Sequence, residues 1–193
     1  MITKWARLTE PTTEPLTLEQ AKEHLRIESD FTLDDDLIQA YISAARDRCE
    51  KYCNRAWSEA QFYAIFPGLP DLSEPFYLPF PDVTEVSAIS YYDSVNAEQT
   101  IASSDYAFDP SRQWIITGDA WPTTARGLKV TFTAGPDLDS SPADPVPEGV
   151  LMAMKLYIAD FYEHRTAQVF GSSRSENKAA AALLNPYRVE MGV

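Results

Sequence analysis

Between residues 34 and 54 apolar side chains recur with the spacing of a helix. Leu37, Ile38, Tyr41, Ile42, Ala45, Cys49, Tyr52 and Cys53 follow the i, i+3, i+4, i+7 pattern and predict a long amphipathic helix. Asp34, Asp35 and Asp36 stand at its start, where negative charge complements the helix dipole. Arg46, Arg48 and Lys51 lie towards the other end, and Asn54 is a residue that tolerates a left-handed stop. Upstream, after a Pro/Thr-rich lead-in (Pro11, Thr12, Thr13, Pro15), Thr17-Leu18-Glu19-Gln20 spells a capping box. Its Thr hydroxyl and Gln side chain each satisfy a backbone N–H that the first turn leaves orphaned. A short helix with Leu18, Ala21 and Leu25 on one face follows and should end near Ile27, before the polar Glu28-Ser29-Asp30.

From Trp57 the period shortens. Pro67, Pro70, Pro75, Pro79 and Pro81 separate short segments rich in aromatic and β-branched residues. Gln61–Phe66, Phe76–Leu78, Val83–Tyr92, Tyr106–Phe108, Gln113–Thr117 and Lys129–Thr133 read as strands. Val83, Ala88 and Ile89 break strict alternation, so a bulge or a doubly covered strand is expected there. Gly118, Gly127 and Ala134-Gly135-Pro136 mark turns, and connections this local favour an antiparallel sheet.

After the acidic, proline-rich loop Asp137–Pro145 the helical period returns. Pro147 suits the first helical position, and Glu148 the first turn. Val150, Leu151, Met154, Tyr157, Ile158, Phe161 and Tyr162 then form a stripe too wide to stay exposed. It should pack on the long second helix as one core, despite the insert between them. The polar stretch Gly171–Lys178 is expected to be mobile, and Ala179–Leu184 to form a short helix stopped by Asn185-Pro186.

The predicted fold class is thus α+β, a small helical bundle from N- and C-terminal helices with an inserted antiparallel β-rich segment. Residues 1–55 supply the N-terminal helical part, 56–145 the insert, 146–170 the long helix that completes the core, and 171–193 a flexible tail with a short helix.

Composition narrows what such a chain does. With 193 residues, 45% of them hydrophobic, it can bury a core without staples. Lys4, Arg7, Glu10 and Glu14 interrupt any apolar leader, and no uncharged run approaches the roughly 20 residues that span a bilayer. A soluble chain without an export signal or membrane contact is expected. Sixteen basic residues face 29 acidic ones, a net charge of −13, and no basic run exceeds two. Sequence-independent duplex binding, which needs clustered Lys and Arg against phosphate, is therefore not expected. The same charge suits a surface that passes DNA without holding it, or simply one that keeps the protein soluble.

Candidate chemistry is sparse. Cys49 and Cys53 lie four apart on one helix, a strained disulfide geometry. A metal site there would need His24 or His164 alongside; the other reading is two buried thiols in a reducing cytoplasm. The two histidines, on amphipathic helices among charged neighbours, read as boundary side chains rather than catalytic bases. Asp34-Asp35-Asp36 lacks the alternation and glycine of an EF-hand loop, so helix capping is favoured over a cation site. Asp137, Asp139 and Asp144 are read the same way. Tyr106, Trp114 and Trp121 could line a carbohydrate site or lie in the core. No nucleophile elbow, phosphate loop, zinc-protease or dinucleotide motif occurs. Catalytic residues, cofactors and metal ligands are all expected to be none.

The segments in their order resemble the head–tail connector (portal adaptor) family of tailed phages, also found in phage-derived gene transfer particles. The matching pieces begin with Leu16-Thr17-Leu18-Glu19-Gln20-Ala21-Lys22-Glu23-His24-Leu25-Arg26 and Asp34-Asp35-Asp36-Leu37-Ile38. Ala44-Ala45-Arg46, Asn54-Arg55-Ala56, Leu78-Pro79-Phe80-Pro81 and Val83-Thr84-Glu85-Val86 follow. Thr131-Phe132-Thr133-Ala134-Gly135, Val146-Pro147-Glu148 and Leu183-Leu184-Asn185-Pro186-Tyr187-Arg188 close the set. The resemblance implies a structural virion protein without catalysis, in a homo-oligomeric ring, usually a dodecamer, at the head–tail interface and assembled in the host cytoplasm. It implies the portal protein as partner on one side, a tail or stopper (head-completion) protein on the other, and passive passage of DNA. The tail then offers Leu183, Leu184, Pro186, Tyr187 and Arg188 as a portal-docking anchor dispensable for folding; the alternative is a tail packed on its own subunit. A functional alternative from another class is a β-rich carbohydrate- or host-surface-binding module on a helical base.

Overall fold

The computed structural model describes residues 4–69, 71, 75–78, 80–118, 121–139, 146–164 and 177–189. They form two compact units, each of which takes more than one stretch of chain. The helical unit holds Thr13–Trp57 and Asp137–Val189, and the sheet unit holds the chain up to Thr12 and Ser58–Pro136.

Among the described residues four helices build the helical unit: α1 (Leu18–Leu25), α2 (Asp35–Cys53), α3 (Glu148–Glu163) and α4 (Lys178–Leu184). The capping box forms as its residues require. Thr17 accepts the Gln20 N–H at 3.2 Å, and the Gln20 side chain accepts the Thr17 N–H at 3.0 Å. α1 stops earlier than Ile27 because Arg26 turns left-handed, with φ 59°. Asn54 does the same for α2, with φ 53°. Pro147 is the residue before α3 rather than its first, and its fixed φ of −56° leads into the helix.

The predicted α2–α3 core is present. Ile38, Ile42, Ala45, Cys49 and Cys53 of α2 are buried with Val150, Ala153, Met154, Tyr157 and Ile158 of α3. α1 adds Ala21, and α4 adds Ala180 and Leu184, both without exposed surface. This corrects the expectation of a loose tail for residues 177–189. A segment with two side chains in the core is part of the fold, and Gly171–Glu176 of the expected mobile stretch lie outside the described residues.

Among the described residues eight strands build the sheet unit: β1 (Lys4–Arg7), β2 (Ala60–Phe66), β3 (Phe76–Tyr77), β4 (Val83–Tyr92), β5 (Glu98–Ile101), β6 (Tyr106–Asp109), β7 (Trp114–Thr117) and β8 (Gly127–Ala134). One sheet runs β1-β2-β8-β4-β5 and the other β3-β7-β6. Every pairing is antiparallel, as short connections favour. In β2 and β8 strict alternation puts Phe62 opposite Phe132, both buried, and Phe80 packs against the two at 4.9 and 5.6 Å. The expected irregularity in β4 takes the form of register shifts between Val83 and Glu85 and between Val86 and Ala88.

Two strands have no counterpart in the sequence reading. β1 lies in the lead-in assigned to the helical part, yet it pairs with β2 from Lys4↔Ile65 to Arg7↔Phe62. Its charged ends conceal Trp5, which packs edge-on against Phe80 at 5.1 Å. β5 is Glu-Gln-Thr-Ile, with one apolar residue and hence no period to detect. The turn before it supplies the order: Asp93 accepts the N–H groups of Val95 and Ala97 at 3.0 and 2.9 Å, and Asn96 takes φ 65°.

Candidate partner-binding surfaces

The residues that could have carried chemistry serve the fold. Asp34 accepts the Tyr162 hydroxyl at 2.7 Å, and Asp35 pairs with the buried Lys22 ammonium at 2.6 Å. The acidic run thus ties α2 to α3 and α1 as well as opening a helix. Asp137 accepts the Asp139 N–H at 3.0 Å, while Asp139 accepts the Thr13 hydroxyl at 2.7 Å. Asp144 lies outside the described residues.

Cys49 and Cys53 are buried and free. Burial pushes the Cys49 thiol far above its usual range, with the Cys53 sulfur and Glu50 adding to it. Cys53 is pushed up to about 11 by burial, against the opposing pull of Arg55, the Trp57 indole and Arg188. Neither thiol is a nucleophile near neutrality. His24 is half-buried on α1. His164 stands exposed just past α3, its Nδ1 3.3 Å from Asp160.

The aromatic trio divides. Trp121 is buried edge-on against Phe76 at 5.9 Å and donates its indole N–H to the Asp105 carbonyl at 2.7 Å. Tyr106 is half-buried, and desolvation raises its phenol, helped by Glu85. Trp114 sits on the opposite face of β7, edge-on to Tyr77 at 5.2 Å. The three do not converge on one sugar-binding platform.

A buried charge cluster went unseen in the sequence. Arg46 is 1% exposed. Its Nε donates to Glu14 at 2.8 Å and its Nη1 to Glu50 at 3.0 Å. Glu14 also accepts the Ser43 hydroxyl at 2.6 Å, and Glu50 the Trp57 N–H at 2.9 Å. Arg46 therefore holds both the segment that leads into α1 and the chain just past α2. The signal was available: Arg46 falls on the apolar stripe beside Ile42, Ala45 and Cys49, with Glu50 one turn on.

The C-terminal segment packs on its own subunit through the residues singled out as an anchor. Leu184 is buried, and its carbonyl accepts from the Cys53 thiol at 3.8 Å. Tyr187 meets Trp57 edge-on at 5.9 Å and lies so close to Gly149 that a Cβ there would stand 3.3 Å from its hydroxyl. The Asn185 side chain accepts the Tyr52 hydroxyl at 2.6 Å, and the Val189 N–H donates to the Cys53 carbonyl at 2.8 Å. Pro186 and Arg188 are exposed, with the Arg188 guanidinium 5.7 Å over the Tyr52 ring. The five residues are thus brought together, but Leu184 faces inward while Pro186 and Arg188 face solvent.

Residues 15–111 match the family described as Phage gp6-like head-tail connector protein. No curated protein matches the chain. Among solved structures it is similar to a chain in the virion of a native gene transfer agent (GTA) particle, with TM-score 0.69 and 21% identity over 96% of this chain and 95% of that one. It is equally similar to a chain in the neck of an empty GTA particle computed with C6 symmetry, with TM-score 0.69 and 22% identity over 97% and 96%. For the neck of a native GTA particle computed with C12 symmetry the TM-score is 0.65, at 21% identity over 97% and 96%. At these identities the likeness is one of fold, and it runs the length of both chains.

Proposed function

We propose, from the premise that this chain belongs to the Phage gp6-like head-tail connector protein family, that it is a ring subunit joining the portal of a phage or phage-derived particle to its tail or stopper protein. The family match over residues 15–111 carries the reading. The helical unit with its buried cross-links supplies a rigid wedge, and rings are made when such wedges meet through two different patches related by a closing rotation. Twelve copies is the proposed number; the C12 symmetry used for one GTA neck of similar fold supports it. The proposed place is the head–tail interface of the virion, after assembly in the host cytoplasm. No catalysis is part of the role. DNA passes through without being held, in keeping with a net charge of −13.

The C-terminal segment is the proposed contact with the portal. Leu184 and Tyr187 pin it to the subunit with Leu183 beside them, which leaves the exposed Pro186 and Arg188 to meet the partner. A pinned segment loses little conformational entropy on docking, so its few contacts count for more. Electron microscopy of the purified chain mixed with its portal tests the reading. A closed ring seated on the portal is expected. A chain that neither binds the portal nor is found in particles would overturn it.

A further inference from the structure

One face of the three-stranded sheet carries exposed apolar side chains. Along β7, Ile115 points inward with its register neighbours Phe76 and Phe108, and shows no exposed surface. Trp114 and Ile116 point the other way, in line with Tyr77 of β3 and with Ala107 and Asp109 of β6. β7 is thus apolar on both sides. Antiparallel strands with one wet face alternate apolar and polar, and strands apolar on both sides belong to sheets covered on both. Yet Tyr77 is 59% exposed and Ile116 45%. Tyr, Trp and Ile with an arginine, here Arg112 at 5.7 Å over the Trp114 ring, have the composition of an interface core.

Charge selects the occupant. Two copies that each carry −13 repel wherever their acidic surfaces meet. They approach with least repulsion at a patch whose charges already cancel. On this face Arg112 and Asp109 neutralise each other at 2.6 Å. A cationic partner finds no net negative charge to pair with on such a patch, whereas a second acidic copy loses least there. We propose that the outer face of the three-stranded sheet, centred on Tyr77, Trp114 and Ile116, is the lateral contact with a second copy of this chain. The proposal rests on the ring reading above. A closing ring needs a heterologous contact, so the face meets a different surface of its neighbour rather than itself.

The test places the photo-reactive amino acid p-benzoylphenylalanine at Ile116 of the full chain, in cells that produce the particle. Irradiated particles should contain an adduct of twice the subunit's 21.7 kDa. The same adduct should be lost when Tyr77→Lys is added, while the melting temperature of the purified variant stays within a few degrees of the parent. An adduct with another particle protein, or none in chains that have been incorporated, overturns the proposal and leaves the connector reading intact. Chains absent from particles altogether defeat the connector reading itself, and the proposal falls with it.

Discussion

The two units solve opposite burial problems. In the helical unit the largest fully buried side chain is charged: Arg46, enclosed with Glu14 and Glu50. In the sheet unit the largest are Phe62, Phe80 and Phe132, while Tyr77 and Ile116 stay in water. The helical unit keeps a charge inside and holds it with partners, whereas the sheet unit gathers exposed apolar side chains on one face of its smaller sheet. A buried charge network demands particular partners in particular places, and so favours a single rigid arrangement. Exposed aromatic surface is poor for an isolated subunit and suits one that is to be covered. On the readings proposed above both units make contacts, the helical unit through its C-terminal segment and the sheet unit through the outer face of its smaller sheet.

The largest expected effect lies in the helical core. Ile42→Asp or Ile158→Asp places an unpaired carboxylate where α2 meets α3, with no solvent at either site. The penalty is several kcal/mol, comparable with the whole stability of many domains. Both variants should be insoluble or lack a cooperative melting transition. Tyr77→Asp, on the open sheet face, should melt nearly as the parent does. Normal melting of both isoleucine variants would show that the helices do not share a core.

Next in size is the charge cluster. Arg46→Ala removes the buried guanidinium that Glu14 and Glu50 share, a loss of about 3–5 kcal/mol. Phe132→Ala in the sheet unit should cost a similar ~3–5 kcal/mol through its cavity. The two are told apart by protease. Only the arginine variant should become easier to cleave between Thr12 and Leu16, because Glu14 is the Arg46 partner in that stretch. Equal cleavage in both would remove the special role assigned to Arg46.

The C-terminal segment gives a smaller and more selective effect. Leu184→Ala should cost about 2–5 kcal/mol, since the side chain is fully buried. Arg188→Ala should change stability by less than about 0.5 kcal/mol, as exposed substitutions do. It should nevertheless weaken portal binding in a pulldown. Portal binding unchanged in Arg188→Ala, together with normal stability of Leu184→Ala, would remove both parts of the assignment.

What was legible in the sequence follows the same divide. The helices and their stops could be read because a wide apolar stripe has a period, and because Thr17, Gln20 and Asn54 are residues with a local reason to stand where they do. The central strands could be read from alternation. β1 and β5 could not, since four residues at a sheet edge carry too few apolar positions to show a period. Arg46 was assigned to the helix dipole although Glu50 one turn on hinted at a buried pair; its other partner, Glu14, is 32 residues away and nothing local reveals it. The C-terminal residues singled out as an anchor lie in one segment, and part of that segment packs on its own subunit. Which of them turn inward depends on Cys53, Trp57 and Gly149, and that is a matter of tertiary packing.

The finest test uses titration. Burial raises the two thiols of the helical unit and the Tyr106 phenol of the sheet unit, whereas Asp93, Glu98 and Asp109 of the sheet unit are lowered chiefly by hydrogen bonds. Asp109 is held at about 2, first by the Ser111 hydroxyl, then by Arg112 and by backbone N–H groups. Its unfolded value is about 3.9. A carboxylate lowered on folding contributes stability that is complete above the unfolded value and lost as pH falls through the folded one. The contribution should therefore be present at pH 5 and fade between about pH 4 and 2. In Asp109→Asn, melting temperatures across that range should converge with those of the parent as pH drops. The Asp109 carboxyl, followed by NMR, should titrate near 2 in the parent and higher in Arg112→Ala. A midpoint near 4 in the parent would mean that the turn does not hold its hydrogen bonds in solution. The neutral rim of the open sheet face would lose its support with it, because Asp109 is the residue that cancels Arg112.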